Sequence, residues 1–399
     1  MAVATGERNA VRSAPRAAFF YRPEVRQAIY QVVTVVALAI LFYILVTNTA
    51  DNLRRQNIAS GFEFVDRTAG FDVSQSLIAF DNSMTYGRAF FVGLLNTLLV
   101  AGLGIVLATI LGFVIGIARL SRNWLVARLA TVYVETIRNL PLLLQLFFWY
   151  FAVLKSLPVP RQSHVLPGGG FLNVRGLYLP SPVPEPGFDV VALAIAIGVA
   201  VSIAIHFFAR RRQMQTGQRL PVLWISLALI VLVPLGVFLY LGQPLGFDYP
   251  ELKGFNFQGG MVLQPEFIAL LLGLSIYTAS FIAEIVRAGI QGVSKGQKEA
   301  ALAIGLSSGQ VLRLVVIPQA MRIIIPPLTS QFLNLTKNSS LGVAIAYPDL
   351  VSVWAGTVLN QTGQAVEVIL VTMGVYLTLS LLTSGFMNWF NKHMALVER

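Results

Sequence analysis

Long windows without charged residues recur along the chain and predict helices that cross a membrane. Five windows contain no Asp, Glu, Lys or Arg: residues 27–50, 89–118, 190–209, 220–247 and 368–391. Three further apolar windows contain one or two charges: residues 129–151, 267–285 and 323–346. A membrane-spanning helix needs about 20 apolar residues. The pattern therefore predicts an all-α, polytopic integral membrane protein with about eight transmembrane helices.

Polar and turn-forming segments divide these windows into regions. Residues 1–26 form a basic tail, residues 51–88 an outside segment, and residues 389–399 a second tail. Residues 156–187 are rich in Pro and Gly and predict a long, turn-filled loop. The windows that follow this loop carry almost no polar residues, so we expect an inserted helix pair facing lipid, within an insertion of about 156–263. Pro141 predicts a kink or a break in its helix, and Pro326-Pro327 marks a second such site.

Composition supports a membrane protein. The 399 residues are 56% hydrophobic and 12% charged, about half the charged fraction of a soluble domain. The chain has no cysteine, which excludes disulfides and thiolate metal sites. Its formal net charge is +11. The basic loops of a membrane protein explain that charge, so we expect a lipid bilayer and no nucleic acid as partner.

The distribution of basic residues predicts the orientation. Cytoplasmic loops of membrane proteins are enriched in Lys and Arg. With the N-terminus inside, the following basic residues all lie in the cytoplasm: Arg8, Arg12, Arg16, Arg22, Arg26, Arg119, Arg122, Arg128, Arg210, Arg211, Arg212, Arg219, Lys295, Lys298, Arg313, Arg322, Lys392 and Arg399. An even number of spans then places the C-terminus in the cytoplasm as well.

A short polar segment between two apolar windows predicts two capped helices. Ser294 with Gln297, and Ser307 with Gln310, have the Ser-x-x-Gln spacing of a capping box. Gly305 between them is a typical helix stop. So ordered a polar loop in a membrane protein indicates a docking surface. An amphipathic connector lying on the lipid surface is the alternative.

The second of these two helices is predicted to end at Pro318. The first contains Glu299-Ala300-Ala301, and three further residues separate this run from Gly305. This arrangement resembles the EAA loop of ABC-importer permeases. The resemblance implies a type I ABC-importer permease core. It also implies that Glu299, Ala300, Ala301 and Gly305 couple the chain to an ATPase, through a loop helix that fits a cleft in that partner.

Other segments extend the resemblance to the polar-amino-acid branch of these permeases: Glu135–Gln145, Ile282–Ile290 and Leu335–Leu341. It implies a permease domain over residues 89–388, with a coupling loop at about 289–322. The outer segment and the insertion are similar, more narrowly, to permeases of general L-amino-acid and glutamate/glutamine/aspartate/asparagine systems. The implied partners are a second homologous permease, two ATPase subunits and a periplasmic amino-acid-binding protein at the bacterial inner membrane.

No cofactor is predicted on this chain, because its sequence contains no P-loop. The resemblance places ATP and Mg on the partner ATPase. His164, His206 and His393 lack metal-ligand spacing, so no metal site is expected. No set of catalytic side chains can be argued either, which predicts a transport subunit and not an enzyme.

Polar residues inside the apolar windows are candidates for substrate contact, since charge within a bilayer is costly and usually functional. Lys337, Asn338, Ser339 and Ser340 are the candidate substrate-pathway residues. The alternative is that Lys337 extends to the membrane surface and that the polar groups join helices.

Two acid–base pairs have the spacing of one helical turn, Glu284 with Arg287 and Glu135 with Arg138. Each predicts a structural ion pair. The sequence thus predicts the permease subunit of an ATP-driven importer for polar L-amino acids. A secondary amino-acid transporter driven by an ion gradient is the alternative, and a membrane-embedded enzyme is a third reading that lacks a catalytic constellation.

Overall fold

The computed structural model describes residues 23–55, 60–218 and 220–394. Most of the predicted basic tail (1–26) and the end of the second tail lie outside these residues. Seven described helices are long and apolar enough to cross a membrane: α1 Pro23–Arg55, α2 Tyr86–Ala118, α5 Phe188–Thr216, α6 Val222–Tyr240, α7 Pro265–Gln291, α9 Ser308–Ile345 and α11 Ala365–Met394. A bent helix pair makes eight, which confirms the predicted number.

The bent pair consists of α3 (Trp124–Asn139) and α4 (Leu142–Leu154), whose axes differ by 107°. Between them, Leu140 and Pro141 have extended ψ angles of 133°. Proline lacks an N–H and disfavours helical geometry in the preceding residue. The predicted break at Pro141 is therefore confirmed.

Small residues allow α2, α7 and α9 to pack closely at the centre of the molecule. A Cβ atom added to Gly112 of α2 would lie 2.5 Å from Ile282 of α7. A Cβ added to Gly289 of α7 would lie 2.3 Å from Ile324 of α9. Close approach at small residues drives helix association in membranes, where the hydrophobic effect between helices is weak.

The prediction that a helix ends at Pro318 is wrong. Helix α9 runs on through this residue, and the turn before it, Leu312–Val316, is a π-helix. Backbone hydrogen bonds in a π-helix join residues five apart and not four. The turn is therefore wider just before Pro318, which has no backbone N–H to donate. Pro326 and Pro327 also lie inside α9, so the helix is not broken there.

The predicted turn-filled loop at 156–187 is also wrong, because it contains four short strands. The strands of the insertion are β1 His164–Leu166, β2 Gly170–Asn173, β3 Gly176–Leu179, β4 Ser181–Pro184, β5 Leu245–Asp248, β6 Glu251–Lys253, β7 Asn256–Gln258 and β8 Met261–Leu263. They form antiparallel sheets in the orders β1-β2-β3-β8, β4-β5 and β6-β7. Pairing of β3 with β8 and of β4 with β5 joins the two halves of the insertion around α5 and α6, which pack on each other.

The remaining elements complete the core and one end of the molecule: α8 Lys295–Ala303, the π-helix α10 Val351–Val358 with its continuation Leu359–Thr362, and a short 3-10 turn Glu63–Asp66. Phe64 of that turn is fully buried and lies 5.5 Å from Trp354 of α10, ring centre to ring centre. Part of the outer segment 51–88 is thereby packed against the membrane domain.

Candidate functional site

The polar loop between α7 and α9 has the two helix starts that its sequence predicts, with one difference. Ser307 and Gln310 form a complete capping box. Ser294 accepts the backbone N–H of Gln297 at 3.3 Å, but the reciprocal bond is not formed. Gly305 has φ +86°, the left-handed conformation that ends helices and that glycine adopts without strain.

One face of α8 is anchored and the other is free. Ala301 is 5% exposed and packs in the main apolar core. Glu299, Ala300 and Gly305 are exposed. Beside them Ile304, the residue that follows α8, is 78% exposed. Glu299, Ala300 and Ala301 lie on α8, and Gly305 follows two residues after its end.

A cluster of charged side chains joins α2, α3 and α7 near the loop. Arg287 Nη2 lies 2.5 Å from Glu284 Oε1, in the predicted pairing. The expected Glu135–Arg138 pair is not formed. Glu135 instead lies 3.5 Å from Arg119, the residue that follows α2, and Arg138 stacks 5.0 Å from the ring centre of Phe281. Partners from neighbouring helices thus replace the partner one turn away.

Arg119 connects this cluster. Its guanidinium also bonds to Glu284, and its side chain is 9% exposed. Arg119 is therefore shared between the carboxylates of Glu284 and Glu135, on two different helices. Charge-assisted bonds of this kind are stronger than neutral ones. The cluster therefore joins the C-terminal end of α2 to α3 and α7.

The predicted substrate-pathway residues lie at the end of α9. Lys337 is exposed, and Asn338 and Ser340 are partly buried. Ser339 is fully buried, and its hydroxyl donates to the carbonyl of Thr336 at 2.8 Å. The Ser340 hydroxyl likewise donates to its own helix, at the carbonyl of Lys337. The ammonium group of Lys337, unlike the hydroxyls of Ser339 and Ser340, is therefore not bonded to a carbonyl of its own helix.

Asp349 lies between the end of α9 and α10 and is not among the predicted site residues. It is fully buried, and its carboxylate accepts the N–H of Ser352 at 2.8 Å. Asn96 donates to the carbonyl before Asp349 at 2.9 Å, and Thr97 accepts the N–H after it at 3.0 Å. A buried carboxylate must be hydrogen-bonded to be tolerated. The sequence could have drawn attention to Asp349, because it is the one charged residue in 339–358.

Metal chemistry finds no support in the described ranges, where no three His, Asp or Glu side chains lie close enough together to hold an ion. The three histidines occur on a strand of the insertion, on α5 and on α11. The polar features described in these ranges are the loop between α7 and α9, the ion-pair cluster around Arg119 and the buried, hydrogen-bonded Asp349.

Comparison with known proteins accords with this arrangement. Residues 208–396 match the family described as the inner membrane component of binding-protein-dependent transport systems. The general L-amino acid transport system permease protein AapQ of Rhizobium johnstonii is 57% identical over 95% of this chain and 94% of its own. The glutamate/glutamine/aspartate/asparagine transport system permease protein BztB of Rhodobacter capsulatus is 42% identical over 96% and 98%. The chain is thus a transport subunit and not an enzyme, and it belongs to the family of amino-acid ABC transporter permeases.

Proposed function

We propose that this chain translocates polar L-amino acids across the bacterial inner membrane and is driven through the α8 loop by a separate ATPase. The observation that carries the proposal is the geometry of α8. A nine-residue helix is capped at its start, ended by Gly305, anchored by Ala301, and exposes Glu299 and Ile304 between two membrane spans. The permeases similar to this chain are named for amino-acid transport, which supports the substrate class.

The proposed orientation places both termini in the cytoplasm. Eight spans that alternate in direction put the ends of α2, α5 and α7 on the same side as the N-terminus. Described basic residues are concentrated on that side: Arg119, Arg122, Arg128, Arg210, Arg211, Arg212, Lys295, Lys298 and Lys392. The positive-inside rule then supports a cytoplasmic α8 loop, where an ATPase can reach it.

The proposed complex contains a second, homologous permease in a heterodimer, two ATPase subunits and a periplasmic amino-acid-binding protein. ATP and Mg bind the ATPase subunits, because this chain has no P-loop. The exposed apolar surface of Ile304 and the carboxylate of Glu299 are the groups we assign to the ATPase contact.

The proposed cycle is alternating access. Closure of the ATPase subunits moves α8, and Ala301 transmits that motion because it is packed in the same core as α7 and α9. Arg119 and Glu284 link α7 to α2, so these helices move together. Interfaces with two stable arrangements turn a small shift of this kind into a change of access. Lys337, Asn338, Ser339 and Ser340 are proposed to line the pathway.

Uptake and ATP hydrolysis by the assembled complex in vesicles test the proposal. Glu299→Lys and Gly305→Pro should abolish ATP-dependent uptake while assembly persists, and Glu251→Lys, on an exposed strand of the insertion, is the matched control. Normal uptake by both loop variants would refute the coupling role. Gradient-driven uptake by the permease without an ATPase would instead favour a secondary transporter.

A further inference from the structure

A cavity of about 470 Å³ lies where the sheets of the insertion meet the start of α7. This volume falls within the range of small-molecule sites, about 300–1,000 Å³. Six polar side chains line it: Lys155, Arg175, Tyr178, Asn256, Gln264 and Glu266. None of them belongs to the α8 loop, the ion-pair cluster or the end of α9.

The carboxylate of this cavity is held in place by two neighbours. Tyr150 donates its hydroxyl to Glu266 Oε1 at 2.6 Å, and Lys155 Nζ lies 3.6 Å from the same oxygen. Lys155 also lies 4.8 Å from the ring centre of Tyr150. Because both contacts are made to Oε1, the other oxygen of Glu266 is left to accept a bond from a ligand.

Neutral groups are oriented in the same way. Tyr178 donates to Asn256 Oδ1 at 2.9 Å, which fixes the amide and leaves its two N–H groups as donors. Gln264 donates Nε2 to the carbonyl of Ser74 at 3.2 Å and keeps Oε1 as an acceptor. The guanidinium of Arg175 makes no ion pair with any residue in the described part of the chain.

We propose that this cavity binds a free acidic α-amino acid. Its wall carries two cations, Lys155 and Arg175, and one carboxylate, Glu266. An acidic amino acid carries the opposite set, two carboxylates and one ammonium group. The ammonium group bonds to Glu266 and Gln264, and the carboxylates bond to Arg175, Lys155 and the Asn256 amide. Ligand and cavity then neutralise each other's charge.

The cavity and the α8 loop lie at opposite ends of α7. This helix has 27 residues and a length of about 40 Å. That the cavity faces the periplasm rests on the proposed function, which places the α8 loop in the cytoplasm. The chemistry of the cavity itself is independent of that assignment.

Binding of tritiated L-glutamate to the purified complex in nanodiscs, without the binding protein, tests the proposal. We expect saturable binding that L-aspartate displaces and L-lysine does not. Arg175→Gln should weaken binding at least tenfold, and folding should be retained because Arg175 is exposed. Glu266→Gln should also weaken it. Arg161→Gln is the matched control, since Arg161 stacks on Phe255 outside this cavity.

Absence of saturable glutamate binding, or equal affinity in wild type and Arg175→Gln, would overturn the site. ATP-dependent uptake by the same preparations separates this outcome from the proposed function. Uptake without Arg175-dependent binding rejects the cavity alone. Arg175-dependent binding without ATP-dependent uptake supports the cavity and rejects the ATP-driven importer.

Discussion

Gln145 donates its side-chain amide to the carbonyl oxygens of Ile137 and Leu140, each at 3.0 Å. In an unbroken helix the carbonyl of Ile137 would accept the N–H of residue 141, which is a proline without one. Backbone groups freed at a helix break inside a membrane must be satisfied by protein. Gln145, which is 6% exposed, therefore repairs the break that Pro141 creates.

Replacement of Gln145 by leucine should destabilise the protein, because it leaves these two carbonyls without a donor. We expect a loss of about 1–3 kcal/mol, measured as a lower midpoint of unfolding in detergent. Leu144→Ala, at a side chain that is 59% exposed, is the control. An unchanged midpoint for Gln145→Leu would show that the carbonyls find other donors.

Gly112→Leu should weaken the packing of α2 on α7, because a Cβ at this position already meets Ile282 at 2.5 Å. Overpacking of this kind costs about 1–3 kcal/mol. Gly102 is on the same helix with nothing within 4 Å of an added Cβ, so Gly102→Leu is the matched control. Thermal unfolding that ranks the two variants equally would contradict this helix contact.

The two bonds of Arg119 should differ in strength. A double-mutant cycle between Arg119 and Glu284 should give a coupling energy of about 1.5–3 kcal/mol, as for charged hydrogen bonds. The cycle with Glu135, which is 59% exposed, should give less than about 1 kcal/mol. Stability in detergent is the readout, and a larger coupling to Glu135 would reverse the order of the two contacts.

Lys337→Ala should impair amino-acid uptake without loss of assembly, since its side chain is exposed at the end of α9. Lys253→Ala, at an exposed lysine of β6 in the insertion, is the matched control. The measurement is the initial rate of uptake at several substrate concentrations. Transport kinetics equal to wild type in Lys337→Ala would exclude this lysine from the pathway.

The features that sequence predicts well here are local. The eight spans depend on the composition of one continuous stretch of chain. The break at Pro141, the Ser307 capping box and the stop at Gly305 each depend on residues within one or two turns. The pairing of Glu284 with Arg287 is of the same kind. Chain geometry alone places these groups in contact.

The features that sequence does not predict depend on partners distant in the chain. Glu135 binds Arg119 because α2 passes beside α3, and no spacing within α3 reveals this. In the insertion, β3 pairs with β8 across the long stretch from Leu177 to Leu263, and β4 pairs with β5 from Ser181 to Asp248. The Pro- and Gly-rich sequence conceals these strands. Asp349 and Gln145 each stand in a hydrophobic run. The sequence therefore shows that a polar group is buried there, but it does not show which group it bonds to.

Lys155 and Glu266, whose charged atoms are 3.6 Å apart, stand at the two boundaries of the inserted region. A polypeptide that departs from a domain and rejoins it at adjacent points can be excised without strain on the remainder. Deleting residues 156–264 and closing the gap with a few glycines is therefore a sound design for a minimal transporter.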